Sequence, residues 1–261
     1  MPPNPHAPTA HRSPLPRVAS LLAAVLTFGA LGVAAAQPDA RSLVAGLAET
    51  HGVAALADTD GYRSDANVTL FGPTGEPVAQ VRQVTLVDLS GAEPRFRENL
   101  YLGDALASAT QFGADDAWTW TPDTGTIELP AAQQSELRST LDRGLLGLRY
   151  GDDSVDRAET VGEATFAGAT GTAVDVEIRG TEGTLLIAED GTLAGEAYPS
   201  SQLGEVTVAY GDLREVDGML LPFSSEAHAN GQPALRTETE TIELGVAFDD
   251  DAFALPEGDA R

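Results

Sequence analysis

Apolar and polar residues alternate with a period of two along most of the chain, and two stretches break that alternation with helical spacing. Leu43, Val44, Leu47 and Ala48 form one stripe of a segment that Asp39 can cap and Gly52 can stop, which predicts a helix over Ala40–Thr50. Period-two strands are then predicted at 67–71, 79–89, 95–102, 105–112, 117–121 and 126–129, punctuated by Gly-Pro-rich turns. Leu137, Leu141, Leu145 and Leu148 next recur at helical spacing, with Glu136, Arg138, Asp142 and Arg143 off the stripe, and predict one amphipathic helix over 130–148. After an acidic loop at 152–156, strands are predicted at 163–167, 172–179, 184–188, 193–198 and 205–210.

The stretch 210–223 reads as a β-hairpin, because Asp217-Gly218 tolerates the positive φ of a type I′ turn. Val206, Val208 and Tyr210 share one face, and Met219, Leu221 and Phe223 share one beyond the turn. Pro222 removes a ladder donor, so the strand is expected to end or kink there. A last strand, 235–244, precedes an acidic tail carrying Phe248 and Phe253.

About eleven strands, two helices and no βαβ alternation predict a mainly β (α+β) protein, an antiparallel sheet wrapped around its helices. Thr, Ala and Glu recur at the positions assigned to the outer face, as in a sheet with one wet and one apolar side.

Arg12 and Arg17 precede an apolar run at 18–35 that ends in Ala34-Ala35-Ala36, the pattern of a secretory signal peptide cleaved near Ala36. The expected organisation is a signal peptide at 1–36 and a single domain at 37–261, without a stable transmembrane anchor and exported to the periplasm. A chain of that length buries about 70% of its unfolded surface as one core. There is no cysteine, hence no disulfide, no thiolate site and no cysteine to acylate. The formal net charge is −25, and residues 1–36 hold two of the fifteen basic residues and none of the forty acidic ones. Such a surface repels nucleic acid and anionic lipid headgroups.

The candidates for catalysis are weak. His51 and His228 lack metal-like partners at i+2 or i+4 and read as surface histidines. The acidic clusters at 115–116, 152–153 and 249–251 lack the loop spacing of an EF-hand, and in so acidic a chain adjacent pairs arise by composition. No serine sits in a Gly-x-Ser-x-Gly elbow, and no Gly-rich phosphate loop opens a helix. The expectation is therefore a non-enzyme with no catalytic residue, cofactor or metal. Apolar surface remains: Trp118 and Trp120 project from one face, Phe96, Leu100 and Leu102 are in step, and these either pack under the helices or line a cavity.

Four segments, in order, resemble the LolA-like periplasmic lipoprotein carriers and the broader outer-membrane lipoprotein-sorting proteins. The helix 41–50 sits where that family has its first helix, and Pro94-Arg95-Phe96-Arg97 is similar to its Arg-Pro-x-x-Phe segment. The run 116–122 resembles its Trp-x-aromatic-x-Pro strand, and the hairpin through Pro222-Phe223, the fourth segment, resembles that of the sorting relatives, as does, in addition, the closing stretch 249–256. Glu93 stands where the family has arginine, a residue associated with handing cargo onward, and Phe96 comes one residue early. The resemblance implies an unclosed antiparallel half-barrel with helices covering its concave face, enclosing an apolar cavity for lipid or lipoprotein acyl chains. On that basis Phe96, Leu100, Leu102, Trp118, Trp120, Val208, Tyr210, Leu221 and Phe223 are the cavity candidates, and Leu137, Leu141 and Leu145 the lid-helix candidates. The competing expectation is a structural or protein-interaction module of the cell envelope, its interior filled by those leucines.

Overall fold

The computed structural model describes residues 39–91, 93–113 and 116–256. The expected signal peptide and its cleavage site lie outside them. Among the described residues, no helix is long and apolar enough to cross a membrane, which says nothing of strands.

Helix α1 (Ala40–Thr50) forms as its stripe predicts: Asp39 accepts from the Ser42 amide at 3.0 Å, and Val44 and Leu47 are buried. Among the described residues thirteen strands follow: β1 (Gly61–Phe71), β2 (Pro77–Asp88), β3 (Arg95–Leu102), β4 (Ala105–Phe112), β5 (Ala117–Thr121), β6 (Gly125–Glu128), β7 (Val155–Phe166), β8 (Ala169–Ile178), β9 (Thr181–Ile187), β10 (Leu193–Ser200), β11 (Gly204–Val216), β12 (Met219–Ala229) and β13 (Gln232–Leu244). All lie in one unclosed antiparallel sheet of order β6-β5-β4-β3-β2-β1-β13-β12-β11-β10-β9-β8-β7. It is two meanders, β1 to β6 and β7 to β13, joined where β1 pairs with β13, Tyr62 opposite Leu244.

That order has a topological consequence. Strands β6 and β7 are consecutive in the chain yet form the two edges of the sheet, so the segment between them must cross from one edge to the other. The crossing is not the single helix predicted over 130–148. It is α2 (Ala131–Leu141) and α3 (Gly144–Leu148), broken where Arg143 is extended and Gly144 takes φ +57°. The expected loop at 152–156 is also shorter, since β7 already begins at Val155.

The hairpin at 210–223 has the turn its Asp-Gly pair predicts, with φ +49° at Asp217 and +83° at Gly218. The strand does not end at Pro222, however. It continues to Ala229, and Pro222 lies just beyond the segment, starting at Ser224, in which β12 pairs with β13, so its missing amide leaves no rung of that ladder empty.

The main core gathers Val44, Leu47, Val53 and Leu56 from the amino-terminal segment against Val174, Val176, Ile178, Leu185, Ile187, Leu193 and Met219. Burying a leucine such as Leu47, with no exposed surface, contributes about 1.5–3 kcal/mol. The amino-terminal segment is also fastened by hydrogen bonds at its end. His51 is fully buried rather than on the surface; its Nε2 accepts from the Leu193 amide at 2.8 Å and its Nδ1 donates to the Leu220 carbonyl. Gly52, at φ +63°, lies so near the hairpin turn that a Cβ there would stand 2.3 Å from the Gly218 carbonyl oxygen.

Candidate functional site

Between the concave face of the sheet and α3 lies a cavity of about 520 Å³. Leu145 and Leu146 of α3 form one wall, and the facing wall is built from strands on both sides of the β1 and β13 junction. Residues directly opposite one another on antiparallel strands share a face, so the wall is read as rungs. One rung runs Glu98, Thr85, Ser64, Ile242, and another runs Glu196, Val208, Ala227, Leu235.

The crossover is held over this space at several points. Arg138 of α2 lies 3.6 Å from Glu93. Glu136 accepts from Ser200 and Ser201 at the β10–β11 turn, and Asp142 lies 3.3 Å from Arg179 at the β8–β9 turn. Arg149 is buried and donates from one guanidinium nitrogen to the Leu141 and Leu146 carbonyls, so it holds the broken helix together at its kink.

About half of the side chains lining the cavity carry a polar group, and several of these are paired with one another. Arg143 lies 3.6 Å from the Glu196 carboxylate and stacks 3.4 Å from the centre of the Tyr198 ring. Burial pushes the Glu196 carboxyl up, opposed by Arg143 and by a hydrogen bond from Tyr210. The same burial, reinforced by the neighbouring carboxylate, raises the Tyr210 phenol well above its ordinary value. Across the cavity, Glu98 accepts from Gln83 Nε2 at 2.7 Å, and burial pushes its carboxyl up as well. Desolvation pushes the Tyr62 hydroxyl up to about 12, with nearby Arg149 acting in the opposite direction. Among the described residues, no group of three or more His, Asp or Glu is placed to hold a metal ion.

Val208, Tyr210, Leu221 and Leu145 line the cavity. Leu137 and Leu141 of α2 instead pack with Phe96 against Val87 and Phe112, filling one end of the concave face. Leu100 lies on the concave face opposite Gln83 and Ser108 and does not line the cavity, while Leu102 is 56% exposed at the β3–β4 turn. Phe223 is buried with the Arg214 guanidinium 4.4 Å from its ring centre.

Trp118 and Trp120 point the other way. Thr119 is on the rung of cavity-lining Glu98 through Thr110, so its neighbours project from the convex face. There Trp118 lies under the Arg97 guanidinium, which donates to the Ala252 and Ala254 carbonyls and so fixes the carboxy-terminal segment on that face.

Sequence reasoning missed Glu98, Arg143, Glu196, Tyr198 and the hydroxyls of Thr237 and Thr239, all of which line the cavity. The alternation places Thr and Glu on the wet outer face instead. Two β-bulges explain part of the error. Ala194 is the extra residue in β10 and Glu240 in β13, so the inward parity switches within each strand. Leu193 faces inward before the first bulge and Glu196 and Tyr198 after it, while Thr237 and Thr239 precede the second bulge and Ile242 and Leu244 follow it.

No family model and no curated protein matches the sequence. Solved structures do match. A DUF1329 family protein from Desulfovibrio piger aligns over 80% of this chain and 97% of its own, with a TM-score of 0.55 at 9% identity. A LolA superfamily protein from Nitrosomonas europaea aligns over 84% of this chain and 98% of its own, with a TM-score of 0.51 at 12% identity. At such identities the likeness is one of architecture, and the architecture is the LolA-like one: an unclosed antiparallel half-barrel with helices over its concave face.

Proposed function

We propose that this protein is a non-catalytic carrier or sensor of the cell envelope that holds the acyl chain of a lipid or lipoprotein in the cavity beneath α3. The observation that carries the reading is the open space itself. Its volume of about 520 Å³ falls within the range of small-molecule sites, and leucines from α3, β10, β12 and β13 surround it. Each methylene moved there from water gains about 0.8 kcal/mol, so a chain can be held without a covalent or metal anchor. The amino-terminal apolar run ending at Ala36 supports export to the periplasm, with residues 37–261 acting as one domain.

The filled-core alternative fits only one end of the concave face, where Leu137 and Leu141 meet Phe112. Next to Leu145 and Leu146 the space is open. The neutral dye N-phenyl-1-naphthylamine should brighten on mixing with delipidated protein and dim when a monoacylglycerol displaces it. Leu145→Glu should abolish the signal, whereas Trp118→Phe, on the convex face, should leave it intact. Failure of folded wild-type protein to take up the dye would refute the reading. Mass spectrometry of co-purifying lipids identifies the natural cargo.

A further inference from the structure

The charges of the cavity wall say more about the ligand than its apolar area does. Glu98 and Glu196 face the same space, and Arg143 is the one basic residue lining it. Arg143 is already engaged, lying beside Glu196 and over the Tyr198 ring. Glu98 has no such neighbour: among the described residues it forms no ion pair, and Gln83 supplies one amide hydrogen to one of its two oxygens. A carboxylate in a low-dielectric wall is costly unless donors surround it, which is why burial pushes this one up, and a second anion beside it adds to that cost, whether as repulsion or as the uptake of a proton. The same wall therefore repels a second negative charge and favours a group that donates hydrogen bonds. Ser64, Ser225, Thr237 and Thr239 continue the polar side of the cavity along the junction strands, where they offer further hydrogen-bond partners.

We infer that Glu98 selects acyl amphiphiles whose head donates hydrogen bonds and bears no negative charge, and that fatty-acid carboxylates and phosphate-terminated heads are discriminated against. The inference rests on the acyl-chain reading above and specifies the head that accompanies the chain. Hydroxyl and ammonium heads satisfy the same chemistry; Glu98 contributes acceptor oxygens to both and an opposite charge to the second.

The test is displacement of N-phenyl-1-naphthylamine at about pH 8 by three amphiphiles of equal chain length: laurate, monolauroylglycerol and dodecylamine. Monolauroylglycerol and dodecylamine are expected to displace the dye at concentrations at least about tenfold below laurate. Glu98→Gln should bring laurate to within about threefold of monolauroylglycerol and weaken dodecylamine. Glu98→Leu removes the same charge and serves if the first variant does not fold. Laurate competing as well as monolauroylglycerol in the wild type, or an unchanged ratio in a folded Glu98 variant, overturns the head selectivity while leaving chain binding standing. Absence of dye uptake by the wild type overturns both.

Discussion

Acidification from about pH 7.5 to about pH 5.5 should weaken the fold through one imidazole, His51. Its surroundings fix a single tautomer: the Leu193 amide donates to Nε2, so the ring proton is on Nδ1 and goes to the Leu220 carbonyl. A proton added to Nε2 would face the Leu193 amide hydrogen, and the side chain has no exposed surface from which to recruit water. Burial accordingly holds its pKa below the ordinary 6.5, with the Leu220 carbonyl and Asp190 pulling the other way. The sign follows. Above 6.5 the ring is neutral in folded and unfolded chains alike; below it the unfolded chain takes up a proton that the folded one refuses, until the folded pKa is reached. The loss approaches about 1.4 kcal/mol per pH unit, hence about 1.4 kcal/mol at pH 5.5 when the folded value lies well below that.

The assay is the urea midpoint at both pH values, read from tryptophan fluorescence, for wild type and His51→Gln. Asp88 and Glu136 are held low by their hydrogen bonds, so their stability is lost only as pH falls below ordinary carboxylate values. Glu98 and Glu196 are pushed up, so theirs is present at low pH and lost as pH rises, opposing the histidine. Both contributions are common to the two proteins and cancel in the difference. His51→Gln should start about 1–3 kcal/mol less stable at pH 7.5, because buried backbone groups lose partners, and should lack the wild-type loss. The same pH dependence in both proteins would refute the reasoning.

Three further outcomes are expected. Gly52→Ala puts a methyl 2.3 Å from the Gly218 oxygen at φ +63° and should cost at least about 2 kcal/mol in urea unfolding, whereas Gly46→Ala, with open space at its Cβ, should not destabilise. Ala167 takes φ +45° at the β7–β8 turn before Gly168, so Ala167→Asn should raise the melting temperature, gaining about 0.5–1 kcal/mol. Arg143→Ala leaves Glu196 without its cation and should destabilise by up to about 3 kcal/mol near neutral pH; Glu196→Gln in the same chain should recover most of that loss, which a double-mutant cycle measures.

What was legible in the sequence was what local rules carry. The α1 stripe with Asp39 before it and Gly52 after it, and the Asp217-Gly218 turn, involve residues within a few positions of each other. So does the alternation that sets most strands. Four things depended on residues far apart. The break between α2 and α3 is invisible in the Leu137 to Leu148 spacing, because Gly144 reads as a tolerated helical glycine until Glu196 occupies the space beside it. The inward parity of Glu196 depends on Ala194 bulging against β9, which no property of Ala194 announces. Trp118 has an alternation-compatible position on either face, and the side was decided by the Arg97 and carboxy-terminal partners waiting on the convex one. His51 looked solvated for the same reason: its partners, Leu193 and Leu220, are distant in sequence.

The cavity itself follows from how the crossover is anchored. At one end Leu137 and Leu141 sink into the cluster around Val87 and Phe112; at the other Leu148 joins the main core beside Ile178. Gly147 makes the second anchor tight, since a Cβ there would stand 2.3 Å from the Asp142 carbonyl oxygen and 3.1 Å from Ile178. Between the anchors the crossover covers the rungs with only two large apolar side chains, Leu145 and Leu146, beside Thr140, Arg143 and Gly144, and those rungs carry Ser64, Thr237 and Thr239 where a filled core would carry leucine. If that polarity and openness are kept for a ligand, filling the space should separate stability from binding. Thr239→Leu adds apolar volume at the cavity wall and should stabilise the fold by about 0.5–2 kcal/mol while weakening dye and monoacylglycerol uptake. Uptake that survives in a stabilised Thr239→Leu protein would place the ligand elsewhere. A variant that is destabilised would mean that the hydroxyl has a structural partner and that the space was not available to fill.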